Sequence, residues 1–192
     1  RVVNLKLDEA TLQRIDAEDI RLLPDPSGGS IEALLVTFAG VSSNNEMSTQ
    51  YSVRGGNYDE NLVYVNGIEI YRPLLIRSGQ QEGLSFVNPQ MTSSVEFSAG
   101  GFGAEYGDKM SSVLDIEYKQ PEDFEASFHA SLLGANAFVG NASKDGRFTQ
   151  IHGIRYKTNN YLLGSLQTKG EYQSDYFDYQ TYLTYRLHEK WE

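Results

Sequence analysis

The chain has 192 residues, 40% hydrophobic and 22% charged. That is a folding composition, long enough for one domain or one domain plus part of another. A net charge of -10, with no run among the 16 basic residues, argues against a nucleic-acid partner. The absence of cysteine excludes disulfides, thiolate metal sites and cysteine nucleophiles.

Residues 1–7 (RVVNLKL) read as a linker or edge-like strand. Over 8–23 the pattern has mixed helical character, with Asp8 capping a turn that holds Leu12 and Ile15. The run Pro24-Asp25-Pro26-Ser27-Gly28-Gly29 ends that region. Ser30 opens a helix over 30–38, with Ile31, Leu34, Leu35 and Phe38 at helical spacing and Gly40 as a stop. Residues 41–49 are polar and loop-like.

Tyr51 to Arg54 reads as a strand broken by Gly55-Gly56, and Asn61 to Val65 as another. Asn66-Gly67 is the strongest turn signal in the chain, with Ile68 to Tyr71 on its far side, and predicts a hairpin. Pro73 and Pro89 bracket a loop with one helical turn around Glu82 to Phe86. Val95 to Ser98 and Ser112 to Tyr118 are strands, joined by a glycine-rich connection.

After Pro121 the texture changes. Phe124, Ala126, Phe128, Ala130 and Leu132 alternate with Glu125, Ser127, His129 and Ser131, as in a half-buried strand. Asp145-Gly146 is a turn signal. Phe148 to Lys157, Tyr161 to Thr168 and Tyr179 to Leu187 follow as strands of an antiparallel meander. No segment reaches about 18 consecutive apolar residues, which excludes a membrane-spanning helix but not a barrel strand. The chain begins Arg-Val-Val and ends inside a strand-like pattern, so it reads as cut from something larger.

Catalytic motifs fail one by one. Glycines at 101, 103 and 107 miss dinucleotide spacing, because Tyr106 stands where the third glycine is needed. Asn57, Asp59 and Asn61 begin like a calcium loop, but Leu62 and Ile68 occupy the positions that require glycine and glutamate. His129, His152 and His188 sit singly on separate predicted strands, and no GxSxG elbow exists. The expectation is a protein that is not an enzyme and has no metal site or cofactor.

Three stretches carry a resemblance: 50–71 (QYSVRGGNYDENLVYVNGIEIY), 84–89 (LSFVNP) and 93–121 (SSVEFSAGGFGAEYGDKMSSVLDIEYKQP). Together they resemble the plug domain of TonB-dependent outer-membrane receptors, in the style found in Bacteroidetes. Residues 31–41 (IEALLVTFAGV) resemble the opening plug helix, and 124–192 the first barrel strands of the same subgroup. The implied fold is an α+β plug domain, with a mixed β-sheet and short helices, followed by antiparallel strands of a truncated transmembrane β-barrel. The implied boundaries are 1–13 linker or edge strand, 14–121 plug, and 122–192 incomplete barrel.

The resemblance implies a gate in an outer-membrane importer driven by the TonB complex, engaged through an upstream segment missing here. Arg54 with Gly55 and Gly56 matches the arginine–glycine motif that holds a plug against barrel carboxylates. Asn66, Gly67, Gly100, Gly101, Tyr106 and Gly107 match structural plug motifs. Ligand contacts would come from around Asn44 to Ser48 and Pro73 to Glu82. Glycan, peptide, siderophore and cobalamin all stay open as the nutrient. The alternatives are a surface or secreted β-rich module that binds glycans or peptides, and a receptor signalling through an anti-sigma partner.

Overall fold

A computed structural model describes residues 13–16, 31–43, 50–71, 85–132, 134–158 and 175–187. In chain order the elements are β1 (Gln13–Asp16), α1 (Ile31–Leu35), β2 (Val41–Ser42), β3 (Ser52–Val53), β4 (Asn61–Val65) and β5 (Ile68–Glu69). They continue with β6 (Thr92–Ser98), β7 (Ser112–Tyr118), β8 (Glu125–Ser131), β9 (Gly134–Ala142), β10 (Phe148–Thr158) and β11 (Asp175–Tyr185).

The first sheet is mixed, in the order β1-β6-β7-β4-β5. β6 and β7 are antiparallel, whereas β4 runs parallel to β7 from Asn61↔Ser112 to Val65↔Ile116. The parallel pairing needs a crossover, and the long connection from β5 through β6 supplies it. Val95, Phe97, Leu114, Ile116, Val63 and Val65 turn one face of this sheet toward α1. Ile31, Leu34 and Leu35 meet them there, and Phe38 stacks on Phe97 with ring centroids 5.7 Å apart. Full burial of a side chain such as Phe97 contributes about 1.5–3 kcal/mol. β2 and β3 form a separate two-stranded ribbon beside this core, paired at Val41↔Val53.

The helix is shorter than its apolar spacing predicts. After Leu35 the chain tightens into bonds from Thr37 N to Leu34 O and Phe38 N to Leu35 O, both 3.0 Å, and Gly40 reverses it at φ +84°. Around Ile15 the helical expectation is corrected, while Leu12 lies outside the described residues. Residues 13–16 form a strand on β6, pairing Ile15 with Val95, so burial of Ile15 in the sheet core overrides local spacing. The expected strand at 1–7, the strand at 161–168 and most of the turn around 82–86 lie outside the described residues.

Asn66-Gly67 makes the hairpin as expected, with φ +51° and +74°. The Asn66 side chain also accepts from Tyr118 N at 2.8 Å, tying the turn to the end of β7.

The second sheet is an antiparallel meander in the order β11-β10-β9-β8. The Asp145-Gly146 signal marks its β9–β10 turn, with Gly146 at φ +65°. β9 carries no strand signature in the sequence, because GANAFVGNA is rich in glycine, alanine and asparagine. The alternation of 124–132 is present but its burial is inverted. Phe128 is 75% exposed, while Ser127 on the opposite face turns toward the first sheet.

Register carries the exposed apolar set across the outer face of the meander, while the inward face mixes apolar and polar residues. Val139, Ile154, Phe177 and Leu183 point outward; Phe138, Ile151, Gly153 and Arg155 point toward the mixed sheet. The meander is an open sheet, with β8 and β11 as its outer members among the described residues.

Candidate functional site

The seam between the two sheets is built on Arg155. It lies on β10 directly across from Asp178 on β11 and Asn136 on β9. Asp178 takes the guanidinium in a fork, with Nε donating to Oδ1 at 2.8 Å and Nη2 to Oδ2 at 3.0 Å. The remaining donors reach into the segment before β6. Nη1 donates to the Val87 carbonyl at 2.7 Å, and Nη2 to the Ser85 and Phe86 carbonyls at 2.9 and 3.4 Å.

Two positions along β11, the Gln180 amide also donates to the Phe86 carbonyl, and its own oxygen accepts from Tyr118 Oη at 3.3 Å. Three consecutive backbone carbonyls, 85 to 87, are thus held from the meander side. Buried carbonyls without partners cost free energy, so an irregular segment packed on a wall needs donors from that wall. Planar guanidinium geometry suits this role, since one group can saturate a carboxylate and several carbonyls together. At 7% exposure Arg155 is well shielded, and its charge is balanced by Asp178.

Below this cluster the packing is tight. Gly153 faces Asn88 and Met91, and a Cβ there would lie 2.4 Å from Asn88 Nδ2 and 2.7 Å from Met91 Sδ. Met91 with Phe138 and Ile151 forms a small apolar core shared by both sheets, flanked by Tyr118 and Tyr182. Tyr118 meets Tyr182 edge-on at 5.9 Å. Burial pushes the Tyr118 hydroxyl up to about 12; the nearby Arg155 charge works against this and Asp178 with it. Lys119 lies over the Phe138 ring at 4.6 Å and pairs with Glu125 at 3.8 Å. From the plug-like side Gln90 accepts a hydrogen bond from Ser127 at 3.0 Å. On that same side, Ser85 Oγ donates to the buried Glu32 carboxylate at 2.6 Å and accepts from Val87 N.

Of the residues singled out from sequence, Asn66 touches this seam by accepting from Tyr118 N, whereas Arg54 and Gly100 meet elsewhere. Arg54 takes a left-handed φ of +50°, its N–H donating to the Gly40 carbonyl at 2.7 Å. Such a backbone is uncommon for a non-glycine residue and marks a constrained position. Its side chain is exposed and crosses Gly40 and Gly100, each of which leaves 3.4 Å between a built Cβ and Arg54. The Arg54 and Gly100 motifs, well separated in sequence, therefore meet. No ion pair to Arg54 forms among the described residues.

Gly55 carries the turn at φ +82°, and Gly56 admits Ser111, whose hydroxyl would lie 2.0 Å from a Cβ at position 56. Gly101 is left-handed at φ +80°, and Gly107 has open space around it. Tyr106 leans on Tyr64 and Phe102 and donates to Asp115 Oδ2 at 2.9 Å. Burial first, and then that hydrogen bond, raise its pKa above the ordinary tyrosine range. The stretches expected to touch ligand, 44–48 and 73–82, lie outside the described residues.

No cluster of three or more potential metal ligands occurs among the described residues, and no helix there is long and apolar enough to cross a membrane. His129 and His152 lie on β8 and β10, whereas His188 is outside the described residues.

A family model described as the TonB-dependent receptor plug domain matches residues 7–113. The chain belongs to the TonB-dependent receptor plug family. Receptors with this plug are outer-membrane transporters and not enzymes. Among solved structures, the chain resembles a mutant of the ferric enterobactin receptor of Pseudomonas aeruginosa, with 17% identity and TM-score 0.60 over 93% of this chain and 31% of that one. It also resembles the siderophore receptor PirA of the same organism, with 19% identity and TM-score 0.60 over 95% of this chain and 32% of that one. For the outer-membrane transporter YddB of Escherichia coli the values are 14% identity and TM-score 0.64, covering 93% and 31%. No curated protein matches by sequence. The chain therefore spans about a third of the length of these structures, and its mixed sheet followed by an open meander matches a plug with part of a receptor barrel.

Sequence reasoning found the plug hairpin and the Arg54 loop but missed Arg155, Asp178 and Gln180. One signal was present: Arg155 shares its strand face with Ile151 and Gly153, a charge on a side otherwise apolar or small. Its partner Asp178 could not be paired with it from sequence, because residues 159–174 intervene and leave the register open.

Proposed function

We propose that the whole protein imports a nutrient across the outer membrane with energy from the TonB complex, and that this chain supplies its gate and first barrel strands. Residues 14–121 are taken as the plug and 122–192 as barrel strands. The observation that carries this reading is the outer face of the meander: Phe128, Ile154, Phe177 and Leu183 are exposed there, while Arg155, Asp178 and Gln180 face the plug beside Phe138 and Ile151. A wall between hydrocarbon and a filled lumen needs that arrangement.

In this reading the exposed, constrained Arg54 meets carboxylates of the rest of the barrel, in a charge-assisted pair of fixed geometry. TonB engages a segment upstream. The siderophore receptors among the structural neighbours make an iron chelate one candidate nutrient. The Bacteroidetes-like motif style keeps a glycan or peptide open beside it, with cobalamin as a further option.

The test is to express the full-length protein with its native signal and ask whether it fractionates as a heat-modifiable outer-membrane barrel. Uptake by Arg54→Ala is then compared with wild type across radiolabelled ferric enterobactin, cobalamin and an oligosaccharide pool. The expected outcome is a heat-modifiable barrel whose uptake of one probe falls at least several-fold in the variant. A soluble monomer would sink the transporter reading in favour of a β-rich binding module for glycans or peptides.

A further inference from the structure

The turn joining β9 to β10 and the point where the chain leaves β11 lie side by side at one end of the meander. Of the five lysines and arginines described after residue 122, three are here: Lys144, Arg147 and Arg186, all exposed. In a chain of net charge -10 that is a local excess of positive charge. The other two, Arg155 and Lys157, belong to the far half of β10.

This arrangement is costly without an anion. Arg186 N donates to the Arg147 carbonyl at 2.8 Å, one step beyond the Phe148↔Tyr185 pair, so the two arginines stand opposite each other across the ladder. Like charges in facing positions repel. No ion pair to Lys144, Arg147 or Arg186 forms among the described residues. Asp145, the carboxylate of the same turn, is taken up locally, accepting from Ser143 Oγ and from Arg147 N. Glu122 and Asp123 are exposed ahead of β8, and β9 stands between that strand and β10.

The surroundings of the cluster say which anion fits. Phe148 and Tyr185 share the outward face with Ile154 and Leu183, and Leu183 and Leu187 on either side of Tyr185 are 54% and 76% exposed. The apolar outer face thus runs down to the level of Arg186. Residues 159–174, the longest connection in the meander, join β10 to β11 at the opposite end. In outer-membrane barrels the long loops are extracellular and the short turns periplasmic, with aromatic residues at each membrane surface. The basic end is then the periplasmic rim. Alternation gives Arg147 and Arg186 the parity of Thr149 and Thr184, which bond to each other within the wall. The arginines lie beyond the last paired row, where long stems can turn along apolar surface and carry their heads into the interface.

We infer that Lys144, Arg147 and Arg186 clamp the phosphate of an anionic phospholipid in the inner leaflet of the outer membrane, with Tyr185 and Leu187 against its acyl chains. This rests on the proposed reading of 122–192 as barrel strands. The two guanidinium groups hold the phosphodiester oxygens in charge-assisted hydrogen bonds, and the phosphate relieves their repulsion. Bound lipid ties the β9–β10 turn to the end of β11 and fixes the depth of this wall in the bilayer.

The full-length protein in nanodiscs of phosphatidylethanolamine, with or without phosphatidylglycerol, tests this. Lipids that stay bound after release from the disc are identified by native mass spectrometry. Wild type is expected to retain phosphatidylglycerol over phosphatidylethanolamine, and its heat-modifiability midpoint to rise when phosphatidylglycerol is present. A basic residue near an anionic surface contributes about fivefold in binding. Arg147→Gln/Arg186→Gln should therefore lose roughly 25-fold of the preference. Arg147→Lys/Arg186→Lys keeps the charge and should lose only part of it. Added salt should weaken wild-type retention.

Equal retention of the two lipids by wild type, or a preference unchanged in the glutamine variant, overturns the clamp. Inorganic phosphate added to phosphatidylethanolamine discs should not raise the midpoint; a rise as large as that from phosphatidylglycerol would assign the cluster to a free anion and overturn the lipid clamp. Where the glutamine variant fails to assemble, wild type decides, since retention indifferent to salt is incompatible with the clamp. Heat-modifiability of the same preparations separates the two ideas. A protein forming no barrel overturns the transporter reading and the clamp with it, whereas a barrel without lipid preference overturns the clamp alone.

Discussion

Phe97 on β6 and Phe128 on β8 sit in the same local pattern, a large apolar residue between two polar ones along a seven-residue strand. Their surroundings are opposite. Phe97 is 2% exposed, stacked on Phe38 under α1, whereas Phe128 is 75% exposed on the far side of the meander from the plug. In the plug the apolar half of the alternation makes the core. In the barrel strands polar groups share the inward face with Phe138 and Ile151, because the segment packed there presents the carbonyls of 85–87, which need donors, and the apolar Met91. Alternation fixes which residues share a face. Which face turns inward depends on the solvent beyond the sheet, water in one case and hydrocarbon in the other.

The largest effect expected from this difference separates the two phenylalanines directly. Phe97→Ala should cost about 3–5 kcal/mol, the usual loss for emptying a packed aromatic site. Urea unfolding combined with amide exchange on β6 and β7 checks it. Phe128→Ala leaves no enclosed cavity and should cost clearly less in the same assay. Phe128→Arg should cost about 2–4 kcal/mol on refolding into a bilayer if the position lies near mid-membrane, and less toward the interface. Equal costs for the two alanine variants would mean that the outer face of β8 packs on protein, and the contrast between the sheets would collapse.

Much of the plug was legible because its elements are marked by residues with narrow conformational demands. Asn66-Gly67 dictates a hairpin, Gly40 and Gly55 stop what precedes them, and SVLDIEY admits little but a strand. β9 was not legible, since its strand character comes from pairing on both sides and not from its own glycines, alanines and asparagines. Ile15 was misread for a related reason: a helical spacing of three is also compatible with one strand residue buried against Val95. In the site, Arg54 stood out through its glycine neighbours. Arg155 did not, because its role exists only once β10 and β11 are in register and segment 85–88 lies across them.

The seam can be strained without touching a charge. Gly153→Ala places a methyl 2.4 Å from Asn88 Nδ2 and 2.7 Å from Met91 Sδ, and both neighbours are fully buried. Overpacking of this kind costs about 1–3 kcal/mol. Adding Met91→Ala should recover part of the loss, so the double mutant is less destabilised than the sum of the singles. Gly146→Ala is a useful contrast, since Gly146 has open space around it and any cost there comes from φ +65° alone. Additive costs for Gly153 and Met91 would mean that the two sheets do not pack on each other at this point.

The smallest expected effect reads the seam through pH. The Tyr118 hydroxyl is pushed up to about 12 by burial, with Asp178 adding and Arg155 opposing. An unfolded tyrosine loses its proton near 10. Below pH 10 the buried, neutral hydroxyl contributes in full. Between about pH 10 and 12 the unfolded chain releases the proton while the folded protein keeps it, so stability falls as pH rises. Tyr51 and Tyr106 are raised in the same direction, and the wild-type protein should weaken in alkali through all three. Tyr118→Phe removes one share of that slope and also the hydrogen bond to Gln180. The variant should therefore be less stable than wild type at pH 9, by on the order of 1 kcal/mol, and the gap should close by pH 11. Urea unfolding at the two pH values decides it. A gap that stays constant would mean that Tyr118 titrates alike in both states, and that the seam between plug and barrel strands is open to water where Tyr118 meets Tyr182.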